Sequence, residues 1–375
     1  MIRGGAGNLT ARLQCASCPL LRPPAMAADH GDPALDVLCL PLDTGLLAWP
    51  QSGGALFLRA RAGVALRDAP RPGLVCEQSF RPAADALERD GWSVRDPQRD
   101  DETHYPLVLV LPPRQREEAR ALLARAVARC APGGTVLACM ANDEGAKSGE
   151  SDLNALMGLS GNLTKQHCRA FWSTHDPARI DATLLAQWSA LDAPRTLSAD
   201  SEDAFVSRPG VFAWDRIDAA SALLVAHLPD DLAGRAADLG AGWGYLSRAL
   251  LRCCPGIASI DLYEAEARAL DLARRNLDCA RVPLAFHWHD VATGLPQRYD
   301  VIVSNPPFHA QGRADRPDIG RAFIAAAADA LNPRGRLWLV ANRHLPYEQA
   351  LDARFAQVRT VAQANGFKIV EAIKS

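Results

Sequence analysis

Residues 304–309 read Ser-Asn-Pro-Pro-Phe-His. An amide, two prolines and an aromatic ring in that order suit an exocyclic amine on a heteroaromatic ring. Such a nitrogen is a poor nucleophile, because its lone pair is delocalised into the ring. Two acceptors aimed at its two hydrogens favour a pyramidal nitrogen whose lone pair points at an electrophile. Asn305 supplies a side-chain oxygen, and Pro306 supplies a backbone carbonyl in a loop that two prolines stiffen. Phe308 offers a face on which a base can stack, worth about 1–3 kcal/mol in single-stranded sites. His309 can take a proton, contact the base or serve as polar surface. Holding donor and acceptor in line can be worth ~7–11 kcal/mol, so the reaction needs no metal.

The electrophile has its own signals. Residues 238–244 read Asp-Leu-Gly-Ala-Gly-Trp-Gly, after a short apolar run and before a helical pattern. Gly240, Gly242 and Gly244 permit a tight turn, and the following helix offers free N–H groups. The spacing is G-x-G-x-G, not the dinucleotide G-x-G-x-x-G, and Asp238 stands two positions before the first glycine. A carboxylate there suits a cationic ligand and would repel a pyrophosphate. Glu264 follows Gly244 by 20 residues, where an acid can accept both hydroxyls of a ribose. Asp261 shares its face with Tyr263 and is the weaker candidate. Asp290 follows a third strand and can either accept from an adenine amine or cap a turn. Three acids at three successive strand ends, all on the carboxyl edge of a sheet, look like a site for S-adenosylmethionine.

Strands and helices must alternate to place these groups. Apolar runs at 236–239, 258–263, 284–288, 299–304 and 336–340 read as strands, and 245–253, 265–279 and 319–331 as helices. This is a parallel sheet with helices on both faces. Residues 358–362 and 367–373 read as a closing hairpin, with Asn365-Gly366 at the turn. A parallel sheet finished by an antiparallel hairpin resembles the class I methyltransferase architecture, so the expected fold class is α/β, with a Rossmann-like sheet of seven strands in the C-terminal half. The first half repeats the plan. Residues 105–113 match 299–307, each a strand closed by Pro-Pro. An Ala-rich helix and a Gly-led strand ending in Ala-Asn follow in both, at 134–142 and 335–342. Val110-Leu111 stand where the second copy has Ser304-Asn305, and no G-x-G loop precedes them. The first half is therefore a degenerate methyltransferase-like domain, a scaffold or a substrate platform. Residues 191–208, rich in Ser, Asp, Ala and Pro, read as a linker, which gives domains of 26–190 and 209–375.

The 375 residues exceed what one core usually supports. The net charge of −2 leaves no whole-chain basic footprint, so a nucleic-acid partner would meet a local patch. Two arginine-rich stretches, 114–129 and 248–275, read first as solvated helix faces. Ten cysteines lack metal spacing; Cys15 and Cys18 form the one C-x-x-C, and the rest read as reduced thiols of a cytoplasmic protein. No apolar stretch approaches the ~20 residues that span a bilayer. Residues 1–25 lack the apolar segment of a secretory signal and read as a disordered tail or a start assigned upstream of Met26.

Residues 209–212, 238–244, 304–309 and 340–347, with Phe367-Lys368, together resemble the ribosomal small-subunit (16S) RNA guanine-N2 methyltransferase family, the RsmC type. The likeness covers about 205–375 well. The first half matches more loosely, including 162–169. The resemblance implies an inactive N-terminal copy that supports stability and RNA binding, a flipped guanine in small-subunit ribosomal RNA, a monomer and a cytoplasmic location. It implies Asp238, Gly240, Gly242, Gly244 and Glu264 as cofactor contacts, Asp290 as an adenine contact, Asn305 as the amine acceptor, and Phe212 closing over the cofactor. Trp243 departs from the small residue more usual in that loop. Adenine-N6 or glutamine-N5 methylation uses the same Pro-Pro loop, and a non-catalytic ribosome-assembly factor with a relic pocket is the alternative of another class.

Overall fold

Short apolar runs too brief for helices form the centres of two sheets. The computed structural model describes residues 31–95, 102–197, 204–307 and 317–375. The tail 1–25, with Cys15 and Cys18, lies outside the described residues, as do Phe308 and His309.

The first sheet comprises β1 (Ala55–Leu58), β2 (Leu74–Glu77), β3 (Val94–Arg95), β4 (Tyr105–Val110), β5 (Cys130–Ala141), β6 (Gly161–Lys165) and β7 (Cys168–Thr174). An antiparallel pair follows, β8 (Arg195–Leu197) with β9 (Phe205–Ser207), within the segment read as a linker. The second sheet comprises β10 (Ala233–Leu239), β11 (Gly256–Glu264), β12 (Leu284–Trp288), β13 (Tyr299–Ser304), β14 (Leu331–Asn342), β15 (Gln357–Ala364) and β16 (Phe367–Ile373). The strand orders are β3-β2-β1-β4-β5-β7-β6 and β12-β11-β10-β13-β14-β16-β15, one topology used twice. In each, parallel strands end in an antiparallel hairpin. Side chains alternate across β13: Ile302 packs into one core layer, Val301 and Val303 into the other.

The repeat extends to element lengths. A helix of 14 residues leads directly into a strand of 12 in both halves, Arg116–Arg129 into β5 and Pro317–Ala330 into β14. β14 starts at Leu331, earlier than the apolar run, because Leu331 pairs with Tyr299 before a bulge resets the register at Val301 and Arg336. The same break falls between Tyr105 and Leu107 opposite β5. This register corrects one detail of the sequence match. Leu107 pairs with Thr135 and Val301 with Arg336, so Ala141 is the counterpart of Asn342, and the two Ala-Asn pairs lie one residue out of step. Both hairpins close on two left-handed residues, Gln166-His167 and Asn365-Gly366.

The halves also meet symmetrically. Leu58 pairs with Glu77 and Leu239 with Tyr263, which makes Gln78 the counterpart of Glu264. The next residues of each half join edge to edge. Arg81 N–H donates to the Ala265 carbonyl at 2.8 Å, and Ala267 N–H donates to the Ser79 carbonyl at 2.9 Å. Phe80 and Glu266 form the antiparallel bridge between them. Each bond becomes the other when the halves are exchanged, as across the two-fold axis of an isologous dimer.

Candidate active site at the carboxyl edge of the second sheet

The turn after β10 depends on its glycines. Gly240, Gly242 and Gly244 have φ of 74°, 55° and 91°, the left-handed region that glycine enters without steric cost. The Gly240 and Ala241 N–H groups both donate to the Tyr263 carbonyl, at 2.9 and 3.1 Å, folding the turn over the end of β11. A Cβ on Gly242 would meet nothing within 4 Å, so the backbone there is open to a ligand. A Cβ on Gly244 would press on Leu277 and Ala273 at 3.2–3.3 Å. That glycine seats the helix Tyr245–Cys253 against its neighbour.

Glu264 reaches back across this turn. Its carboxylate accepts from Gly242 N at 2.7 Å and from Glu266 N at 2.8 Å. Burial pushes its pKa up, and those backbone donors oppose the shift. Asp238 is fully buried. One oxygen accepts from Ser247 Oγ at 2.7 Å, and the other, Oδ1, has no partner among the described residues. Burial, reinforced by the charge of Glu264, raises the Asp238 pKa to about 7. A buried carboxylate oxygen left without a donor carries a desolvation cost until one is supplied. Asp290 caps the turn Val291–Thr293, accepting from Ala292 N at 2.9 Å; like Asp238, Gly244 and Glu264, it is not among the residues that line the cavity described next.

Asn305 follows β13 and stands across the turn from these acids. Its Nδ2 donates to Asp218 Oδ2 at 3.0 Å and Ser221 Oγ at 2.8 Å. A carboxylate accepts and never donates, so Asp218 fixes which end of the amide faces it. Oδ1 is left buried and without a partner among the described residues. Asp218 caps the helix Ala219–Val225 and accepts from Ser221 N at 2.9 Å, which ties the amide to a helix start. Asn305, Asp218, Ser221, Gly240, Gly242 and Phe212 line one small cavity. Pro306 is buried and Pro307 exposed.

Asp218 and Ser221 escaped the sequence reading. Their signal, an Asp three residues before a Ser at the start of an apolar helix, is common to ordinary N-caps. Asp218→Ala is expected to lower turnover about 10- to 100-fold with cofactor affinity unchanged, because it frees the amide to rotate. Steady-state kinetics beside cofactor titration would check this, and a matching loss of cofactor affinity would count against it.

Trp243 gains a role that its place among glycines did not suggest. It is buried in a cluster with Phe205, Val211, Ala269 and Leu272. Its Nε1 donates to the Phe212 carbonyl at 3.1 Å, while the Phe212 ring is 67% exposed beside the cavity. Asn276 bonds to both the Val206 and Trp243 carbonyls, at 2.9 and 2.8 Å. β9 is thereby fastened to the glycine turn, and the backbone at Phe212 is held at the cavity mouth.

The arginine-rich stretches are largely engaged within the fold. Arg120 lies over Trp188 and bonds both oxygens of Asp152, Arg116 pairs with the same acid, and Arg125 pairs with Glu77. Arg248 covers Phe205, and Arg274 pairs with Asp271.

Residues 202–371 match the family model described as the methyltransferase small domain. The ribosomal RNA small subunit methyltransferase C of Pseudomonas aeruginosa (strain LESB58) is 34% identical over 271 residues, 70% of this chain and 77% of that protein. Its counterpart from Psychromonas ingrahamii is 29% identical over 273 residues, 72% of this chain and 77% of that protein. Among solved structures, the T. thermophilus 16S rRNA N2 G1207 methyltransferase, in complex with AdoMet and guanosine, superposes with a TM-score of 0.76. It is 25% identical, and the match covers 93% of each chain.

Proposed function

The chain belongs to the ribosomal RNA small subunit methyltransferase C family, and from that premise we propose that it methylates the exocyclic N2 amine of a guanine in small-subunit ribosomal RNA, using S-adenosylmethionine. The observation that carries this reading is the Asn305 amide. Its nitrogen is engaged twice, and its buried oxygen has no partner among the described residues.

The residues fit the cofactor. Asp238 keeps a buried oxygen without a partner among the described residues, and the open backbone at Gly242 leaves room where a Cβ would stand. When bound, the cofactor supplies a methyl group already activated by a sulfonium leaving group. Glu264 would accept from the ribose hydroxyls, with its remaining lone pairs, while its backbone bonds hold it in place. Asp238 would balance the cationic amino-acid end. Asp290 would use the oxygen not spent on its cap for the adenine amine, and Phe212 would cover the ligand. Asn305 Oδ1 and the Pro306 carbonyl would each accept one hydrogen of the guanine amine and turn its lone pair toward the methyl group. Phe308 would stack on the flipped base. Positioning of this kind needs no dedicated base, because methyl transfer would leave the nitrogen as a strongly acidic cation that loses its proton to water.

We further take 209–375 as the catalytic domain and 26–190 as a non-catalytic copy joined by 191–208, in a cytoplasmic monomer. The described residues contain no helix long and apolar enough to cross a membrane.

Transfer of labelled methyl to separate pools of small subunits, large subunits, naked ribosomal RNA, DNA and protein tests the proposal. Label in N2-methylguanosine from small-subunit RNA is the expected result. Label in N6-methyladenine or in a glutamine side chain would replace guanine as the acceptor.

Asp238 adds a pH signature. Its folded pKa of about 7 lies above the usual carboxylate range, so the fold binds this proton more tightly than the unfolded chain does. The group's contribution to stability therefore falls as pH rises from about 4 to about 7, and is level above that. A cationic ligand favours the ionised form. Cofactor affinity is thus expected to rise about 5-fold between pH 6 and 7, where the ligand ammonium, titrating near ~7.7, stays mostly protonated. Calorimetric titration across that range checks it, with Asp238→Asn expected to flatten the profile.

A further inference from the structure

The first sheet keeps the cleft that the second sheet uses for its candidate site, but with different walls. Strand register makes Leu58 the counterpart of Leu239, so Arg59 and Arg61 replace Gly240 and Gly242, and Leu111 replaces Asn305. The backbone is conserved in form. Ala60 N–H donates to the Glu77 carbonyl as Ala241 N–H does to Tyr263. Gln78 accepts from Phe80 N at 2.9 Å as Glu264 accepts from Glu266 N. A cavity of about 560 Å3 lies at this edge, lined by five arginines and by the carboxylates Glu77, Glu118, Asp192 and Glu266.

Its charges do not balance. Arg125 and Arg95 share Glu77, Arg208 pairs with Asp192, Arg61 with Asp32, and Arg268 with Glu118 and Glu266, so that with Arg59 six arginines meet five carboxylates. Arg59 is left over. Its guanidinium, half-buried in the cavity wall, donates to the Leu111 carbonyl at 3.3 Å, and no described carboxylate pairs with it. Burial and the neighbouring Arg61 push its pKa down, and the charge of Glu118 opposes them. Arg59 also has φ of 54°, the left-handed turn that glycine takes at Gly240. A residue with a Cβ is strained there, and strained residues gather at ligand clamps. A surplus cation in a partly enclosed cleft favours an anion. Two guanidiniums in place of glycines exclude a sulfonium.

We propose that this cleft binds a phosphate group, anchored by the Arg59 guanidinium. Five arginines line it, and the planar fork of arginine matches phosphate oxygens two at a time. The phosphate comes either free in solution or from the backbone of an RNA partner; the melting test is independent of methyl transfer, and the KM test rests on the function proposed above.

Arg59→Gly tests this without endangering the fold, since glycine takes the left-handed turn freely. The probe is inorganic phosphate against chloride at equal ionic strength. The wild type is expected to melt about 3 °C higher at saturating phosphate, and Arg59→Gly to show no phosphate-dependent shift. Arg89→Gln, an exposed charge outside the cleft, is expected to respond like the wild type. If RNA is the source, Arg59→Gly also raises the KM for small-subunit RNA several-fold at unchanged kcat, and phosphate competes. If the phosphate is free, KM stays constant while the melting shift is lost. A wild type that responds equally to acetate, or not at all, with KM unchanged in Arg59→Gly, overturns the proposal.

Discussion

Asn305→Ala is expected to lower kcat by about 100- to 1000-fold, the range seen when one preorganised polar contact to a reacting centre is removed. Cofactor affinity should not move, because Glu264 and Asp238 hold their positions without Asn305. Asn305→Asp separates the acceptor from its placement. The variant keeps two acceptor oxygens but sets a second carboxylate against Asp218, where the amide nitrogen now sits at 3.0 Å. Like charges at that distance push one carboxyl to protonate or swing away, so Asn305→Asp should be nearly as impaired as the alanine variant. A double variant locates the cause. If Asp218 acts only by orienting Asn305, Asp218→Ala adds nothing to Asn305→Ala, and the two losses fail to sum. Single-turnover rates with saturating cofactor give the values for all four variants. Retention of wild-type turnover in Asn305→Ala would remove the amide from the chemistry.

The sequence was most legible where one residue type has one use. A strand followed by G-x-G-x-G needs left-handed turns, and all three glycines take them. β13 and β16, each between two neighbouring strands, begin and end where their apolar runs do, and so does the edge strand β12. Legibility failed where long-range pairing decides. β14 extends back to Leu331 through Pro333 and Gly335, residues that read as a turn until β13 is laid beside them. The strands β1 and β2 are four residues each and carry no period of their own, so the first half was read only from β4 onward. Asp218 and Ser221 were hidden for the same reason. They lie 87 and 84 residues from Asn305, and no local pattern points across that interval. Trp243 looked like a fault in a glycine turn. It is instead the contact through which β9 and the backbone at Phe212 are fastened to the cofactor edge.

Glu264→Ala should weaken cofactor binding about 100-fold or more. Two charge-assisted hydrogen bonds to a ribose, each worth about 1.5–3 kcal/mol, would be lost together. The residue also holds the turn, since Gly242 N and Glu266 N would both lose their acceptor. The isosteric glutamine is more telling. An amide has one accepting end, so Glu264→Gln can satisfy one of these two N–H groups and must set its own N–H2 against the other. The first half shows what this substitution requires. Gln78 serves there by accepting from Phe80 N at 2.9 Å and donating to the Ala60 carbonyl at 2.6 Å, because that turn presents a carbonyl where the second presents the Gly242 N–H. Glu264→Gln therefore ought to distort the glycine turn and lose much of the alanine variant's affinity, despite keeping size and one acceptor. Calorimetry of cofactor binding, with thermal melts of the unliganded proteins beside it, separates the two effects. Full affinity in the glutamine variant would mean that the ribose is held elsewhere and that Glu264 serves only the backbone.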